Sequence, residues 1–367
     1  MIRVTYNTEL RIGTENLFTM RSMDMPAPEM HQQLLNILNS FPYRKILVVG
    51  DLISDEFLYG RIARVSREAP VLVLEYRDLV RLPGGAANAA NNLLDLGCKV
   101  AIAGAVGDDK PGRDLAAILK GKGAHTGGLR LLRSIATPVK TRILAGAHHS
   151  APQQVVRLDR VPNPGRQAPV AWSLIQRSLQ AADGIILSDY GYGSISSPLT
   201  AGLIRAAREM RIPLVVDSRF SMSKYRGVTS ITPNITELEG STGISIGSDA
   251  KLLAKVGRRV LHEQRLSSLL VTQGRFGMTL FELHKAPLHI PVYGTDEVAD
   301  VTGAGDTVIA VFTLALSCGA TPEQAARLAN YAGGIVVMKR GTATVTRDEL
   351  SGALTKDASK TVPRRQG

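Results

Sequence analysis

The sequence predicts an α/β fold: a doubly wound, mostly parallel sheet flanked by helices, with a small β-strand lid. Three observations predict it. Short β-rich apolar runs alternate with longer helical periodicities through most of the chain. The clearest runs end in Asp, Ser, Thr or Gly, as buried parallel strands with functional carboxyl ends do. Glycine is abundant at 35 residues while aromatics make up only 5%, which suits tight strand–helix turns better than a β-sandwich.

The elements follow in order. Residues 1–30 are mixed and polar, without the apolar stretch of a secretory signal, and read as a flexible lead-in. Leu34, Leu35, Ile37 and Leu38 then mark a short helix on the domain edge, so 1–44 is an N-terminal extension. The main domain spans 45–350. Its core strands are expected at 45–51, 99–107, 184–189, 213–218 and 268–274. Helices are expected at 86–96, 111–120, 170–181, 198–210, 251–264, 304–317 and 322–338. Thr321-Pro322-Glu323-Gln324 is a capping box with proline at the first helical position. Two stretches, 57–82 and 137–159, lack a helical period and read as antiparallel lid strands. The first carries VLVLEY, a short polar break, then LVRL. Residues 351–367, ending KTVPRRQG, read as a disordered basic tail.

Composition excludes several classes. At 367 residues and 44% hydrophobic content the chain can bury a large core. Its formal charge is +12, but the basic residues are scattered and not interleaved with aromatics. That pattern gives a solvated basic surface, or a weak field for anionic substrates, and no nucleic-acid partner. Cys98 and Cys318 are far apart in sequence with no CxxC partner, which argues against zinc and disulfide frameworks and for a cytoplasmic location. No apolar run reaches the ~18–20 residues of a membrane span, so no membrane association is expected.

The chemistry-bearing segments lie at expected strand ends and helix starts. Asp300-Val301-Thr302-Gly303-Ala304-Gly305-Asp306-Thr307 runs into the apolar helix VIAVFTLAL. The small residues Gly303, Ala304 and Gly305 let backbone N–H groups approach a ligand, and the helix adds its positive end, together forming an anion hole. Asp306, in the first turn, can accept a proton from an attacking hydroxyl; the plainer reading is an ordinary acidic residue at a glycine-rich helix start. Gly84 and Gly85 precede Asn88 at the start of the first long helix, where they can admit a polyhydroxy ligand or simply form a turn. Asp51 and Asp55 follow the first core strand, placed for sugar hydroxyls or for capping. Asn234 and Glu237, in Thr232-Pro233-Asn234-Ile235-Thr236-Glu237, match a capping box and equally a phosphate and Mg²⁺-water site. There is no Walker A sequence, because Gly107–Gly112 continues into Arg113-Asp114. The GxSxG match at Gly243–Gly247 follows no strand and reads as chance. His148 and His149 have no evident third ligand and read as lid polar residues.

Taken together, the motifs resemble the ribokinase-like (PfkB) carbohydrate kinases. Gly50–Asp55, Gly84–Asn88, Gly107–Gly112, Thr232–Glu237 and Asp300–Thr307 occur in that family's order over roughly 45–345. Within it the chain is similar to the heptose 7-phosphate kinases of ADP-heptose synthesis, through SREAPVLVLE, PGGAANAA, VKTRIL, QQVVRLD, SDYGYG and GTATV. Tyr192 stands where those kinases carry lysine, Ser218-Arg219 where they carry Pro-Lys, and Ser66-Arg67-Glu68 where they carry Ser-Pro-Glu. The resemblance implies a ribokinase-like fold and phosphorylation of D-glycero-β-D-manno-heptose 7-phosphate at C1, with Asp306 as base. It implies ATP held by Asn234, Ile235, Thr236, Glu237, Thr272, Gly274, Gly277 and Asn330, and Mg²⁺ on the ATP phosphates with Glu237 acting through water. A monovalent cation such as K⁺ is compatible with it. The sugar would lie on Asp51, Asp55, Gly84, Gly85 and Asn88, and its phosphate on Lys140 and Arg142. A homodimer through the lids and a separate nucleotidyltransferase downstream are further expectations. The alternatives are a kinase for ribose or fructose and a silent sugar sensor; the intact Gly303–Asp306 segment weighs against the latter.

Overall fold

The computed structural model describes residues 21–22, 28–146, 152–161, 168–219, 222–294 and 300–361. His148, His149 and residues 1–20 lie outside them. In chain order the first half contains β1 (Arg21–Ser22), α1 (Pro28–Asn39), β2 (Lys45–Gly50), β3 (Leu52–Val65), β4 (Leu72–Gly85), α2 (Ala86–Asp95), β5 (Lys99–Gly107), α3 (Lys110–Gly121), β6 (His125–Leu132), β7 (Val139–Gly146) and β8 (Gln153–Arg160). The second half contains α4 (Trp172–Gln180), β9 (Gly184–Asp189), α5 (Ser197–Met210), β10 (Leu214–Ser218), β11 (Ser230–Ile231), α6 (Ile235–Thr242), α7 (Ala250–Glu263), β12 (Ser268–Thr272), β13 (Met278–Glu282), β14 (Leu288–Ile290), α8 (Ala304–Ser317), α9 (Pro322–Val337) and α10 (Arg347–Thr361).

Ten strands form the main sheet in the order β1-β14-β13-β12-β11-β10-β9-β2-β5-β6. All its pairings are parallel except those of β13, which runs against both neighbours. Side chains alternate between two cores, as strand geometry requires. Ile46 and Val48 of β2 face the core that includes α2, α8 and α9, while Leu47 and Val49 face the one that includes α5 and α7. Helix α8 is apolar almost all round because it is buried almost all round, from Asp306 through Ala315. No described helix is long and apolar enough to cross a membrane.

The lid is a separate four-stranded sheet, β4-β3-β7-β8. Its inner strands grow directly out of the core: β3 begins two residues after β2, and β4 ends where α2 begins. The expected break within the 57–82 stretch is absent. Arg77 is an extra residue between the pairs Tyr59–Asp78 and Gly60–Tyr76, and a bulge absorbs it without ending the ladder. The chain instead turns between β3 and β4, where the backbone N–H of Ser66 donates to the Val71 carbonyl.

Three further expectations are corrected. The tail does not begin at 351, because α10 continues through Thr361 with Leu350, Ala353 and Leu354 buried. That spacing puts one apolar stripe on the core side, with α1 and α9 as neighbours. Part of the lead-in is ordered, since Arg21 and Ser22 pair with Leu288 and His289. Strands β6, β11, β13 and β14 join those expected; most are short, and β6 carries two adjacent glycines that dilute its β pattern.

Candidate active site

The carboxyl ends of β2, β9 and β10, the starts of α2 and α8, and the lid strands β3 and β7 meet at one place. Gly303 caps α8 in a left-handed conformation (φ 78°), and a Cβ there would lie 2.5 Å from the Asn88 amide, so only glycine fits. Nothing lies within 4 Å of where a Gly305 Cβ would stand, which leaves the helix start open to a ligand. The N–H groups of Gly305 and Asp306 have no i−4 partner inside the helix and can face an anion there.

Asp306 sits in the first turn and is 5% exposed. Asn88 Nδ2 donates to its Oδ2 at 2.9 Å, and the Tyr190 hydroxyl donates to its Oδ1 at 3.0 Å. Burial pushes its carboxyl up to about 6, against the opposing pull of those two hydrogen bonds. The group is therefore ionised at neutral pH yet basic enough to take a proton.

The other expected sugar ligands have more specific tasks. Asn88 is fully buried, with its amide turned to Asp306 and its side-chain oxygen accepting from Asn92. Asn92 in turn accepts from the Thr307 hydroxyl at 3.0 Å, so α2 and α8 are stitched together behind Asp306. Asp51 accepts three backbone N–H groups, from Tyr190, Tyr192 and Ser194, at 2.9–3.0 Å. Its carboxylate pins the loop after β9. Gly84 and Gly85 make room for protein groups: a Cβ at Gly84 would strike the Asp55 carboxylate, and one at Gly85 the Asp51 carbonyl, with the Tyr190 ring at 3.1 Å. Asp55 pairs with Arg142 at 2.9 Å and accepts from the Thr342 hydroxyl at 3.0 Å.

Arg142 is thus engaged with Asp55 and lies over the Phe57 ring, instead of standing free for a phosphate. Lys140 is the less committed lid cation. Its ammonium lies 4.4 Å from the Tyr190 ring centre, and burial, then the neighbouring Arg219, pull it down to about 8. Arg219, which sequence reasoning noted only as a departure, lies over the same ring at 4.4 Å. Arg157 also reaches this end and is bridged to Asp159.

Where the sequence places the nucleotide there is an open cavity of about 500 Å³. Asn234, Ile235, Thr236, Thr272 and Gly274 line it, as does Gly247 from the GxSxG match, together with Ser248, Gln273, Phe276 and His289, which the sequence did not single out. Gly277 and Asn330 shape its neighbourhood and are absent from its lining. Gly277 has φ 85° and would place a Cβ 2.1 Å from the Ile290 carbonyl, while Asn330 donates to the Pro291 carbonyl at 2.8 Å. Asn234 and Glu237 form the full reciprocal capping box of α6, at 2.8 and 2.9 Å. Asp217, half-buried at the end of β10, acts electrostatically on both Glu237 and Asp306, and its carboxyl is held well above the usual range by burial and by those two residues. Burial raises Glu237 as well. Two crowded carboxylates of this kind suit Mg²⁺, which keeps several waters and takes one or two carboxylates beside phosphate oxygens.

The GxSxG match stays unexplained by hydrolase chemistry, since Gly243 merely ends α6 in a left-handed turn and Ser245 is exposed.

The chain is similar to known proteins in both sequence and fold. The sequence profile of the pfkB family of carbohydrate kinases matches residues 44–349. Bifunctional protein HldE of Geobacter metallireducens is 43% identical over 314 residues, covering 84% of this chain and 62% of that protein. HldE of Nitrosococcus oceani is 41% identical, covering 86% and 65%. The chain therefore spans somewhat under two thirds of the length of these relatives. Arabidopsis thaliana ribokinase complexed with ribose and ATP superposes with a TM-score of 0.68 at 19% identity, covering 85% of this chain and 98% of that one. Phosphofructokinase-2 of Escherichia coli in complex with potassium gives 0.64 at 17%, covering 86% and 99%. These structures share the ribokinase-like fold. The chain is a sugar kinase and belongs to the pfkB family of carbohydrate kinases.

Proposed function

We propose that this kinase phosphorylates a sugar that already bears a phosphate, D-glycero-β-D-manno-heptose 7-phosphate, at its C1 hydroxyl to give the 1,7-bisphosphate. The observation that carries the reading is the gathering of Lys140 and Arg219 over the Tyr190 ring, whose hydroxyl holds Asp306. A dianionic phosphate needs such cations, and a neutral sugar does not. The similarity to HldE proteins supports the same assignment.

In this reading Asp306 takes the proton as the sugar oxygen attacks the γ-phosphorus of ATP, and the bond to the ADP oxygen breaks. The amides of Gly305 and Asp306 and the positive end of α8 stabilise the charge on the transferring group. Asp217 and Glu237 would hold Mg²⁺ through water, and the ion would supply charge neutralisation on the phosphates. ATP consumption across a panel of sugars and sugar phosphates tests the assignment. Higher kcat/KM for ribose or fructose than for the heptose phosphate would overturn it and leave the kinase. A nucleotidyltransferase would consume the product.

Glu237→Gln should weaken use of Mg·ATP more than sugar binding, and Asn234→Ala should do the same. Because Asn234 also caps α6, Asn234→Ala should cost about 1 kcal/mol of stability, whereas Glu237→Gln keeps an acceptor for the capping box and should cost little. Unchanged ATP kinetics at low temperature, with only the melting point lowered, would leave them as caps alone.

The reading includes a homodimer through the lids. Val65, Val71, Tyr76, Val155, Val156 and Leu158 are each 46–64% exposed on the lid sheet, a face that a second lid would cover. Light scattering at micromolar concentration should give twice the chain mass, and a single chain mass would refute the pairing.

A further inference from the structure

We propose that Tyr190 is a positioning residue that fixes both the Asp306 carboxylate and the two cations at the sugar end. The inference rests on Asp306 being the base. Tyr190 lies in the loop after β9 and is 8% exposed. Its hydroxyl reaches Asp306 Oδ1, while its ring carries the Lys140 ammonium and the Arg219 guanidinium, each 4.4 Å from the ring centre. One side chain therefore touches the proton acceptor and both candidate phosphate-binding cations.

The loop that carries it is fixed by two acidic residues. Asp51 takes the N–H groups of Tyr190, Tyr192 and Ser194. Asp189 takes the Gly191 N–H, the Lys224 ammonium and the Tyr225 hydroxyl. On the opposite side Gly85 leaves the space the ring occupies, since a Cβ there would sit 3.1 Å from Tyr190 Cε2. Such anchoring exceeds what a surface loop needs and suits a residue whose placement sets the geometry of a reaction.

The charged and titratable groups around Asp306 come from several elements. Asp55 faces it from β3, Lys140 from β7, Asp217 from β10 and Tyr190 from the loop, with the neutral Asn88 amide from α2. Tyr190 and Asn88 donate to the ionised form, so losing the hydroxyl raises the pH at which the base protonates.

The test is Tyr190→Phe, which keeps the ring and removes the hydroxyl. With heptose 7-phosphate and Mg·ATP, kcat should fall about tenfold while both KM values stay within about twofold. The acid limb of kcat should move up by roughly one pH unit. Tyr190→Leu should also raise KM for the sugar phosphate, because the cations lose their support. ¹³C NMR titration of the Asp306 carboxyl, assigned by its loss in Asp306→Asn, reads the same shift without any substrate. If Tyr190→Phe leaves the acid limb and the carboxyl titration in place, or only lowers the melting point, the positioning role is wrong. If Asp306→Asn is itself fully active, the reading of the base has failed instead.

Discussion

Asp306→Asn should lower kcat by about 10²–10⁴-fold, the usual contribution of a positioned base. The amide keeps the shape of the carboxylate but cannot take the hydroxyl proton. ATP binding should survive, because the groups lining the nucleotide cavity are untouched. Folding should survive too. Burial raises the Asp306 carboxyl to about 6, above its unfolded value near 3.8, so the ionised form is the disfavoured one in the folded protein. With the folded value raised, this residue contributes most to stability at low pH, and the contribution is lost as pH rises through about 6. The variant should therefore melt no lower than the parent at pH 7.5, and the loss of turnover cannot then be ascribed to unfolding. In the parent, kcat should fall about tenfold per pH unit below 6, as the base protonates. Turnover of the variant within a few-fold of the parent would remove Asp306 from its role.

The legibility of these features in the sequence depended on whether they are local. The core strands end at positions such as Asp189 and Ser218, and apolar runs closed by polar residues marked them to within a residue or two. Gly303, Gly305 and Asp306 were legible because a helix start is a local event with local chemistry. So was the capping box at Asn234 and Glu237, although its local pattern does not say whether a ligand also uses it. The task of Asn88 was not legible, because its partner lies 218 positions away. Nor was that of Tyr190, whose partner is 116 positions away. Arg142 shows the converse. Its charge suggested a phosphate ligand, but the parallel register of β3 and β7 sets it opposite Phe57, within reach of Asp55. Periodicity fixes which face a residue takes, and only the long-range pairing shows what stands across from it.

That pairing separates the effects of two lid cations. Arg142→Ala should be severely destabilising. Asp55 and Arg142 are both buried and form a 2.9 Å ion pair. Removing one member of a buried pair leaves the other charge unsolvated, at a cost of about 3–5 kcal/mol. The Thr342 hydroxyl, 3.0 Å from Asp55 Oδ2, offsets only part of that cost. The loss should appear as an early unfolding transition and faster proteolysis between β3 and β4. Lys140→Met should behave in the opposite way. Lys140 has no salt-bridge partner among the described residues, and burial already pulls it down to about 8. Replacing it with an apolar chain of similar length relieves that burden, so melting should not fall. What is lost is a cation facing the substrate's own phosphate: KM for heptose 7-phosphate should rise about 10–100-fold, with a smaller change in kcat. KM for an unphosphorylated sugar, where turnover is measurable, should barely move. Equal losses on both kinds of substrate would mean that Lys140 serves the transferring phosphoryl group, and the sugar-phosphate assignment would lose its main physical support.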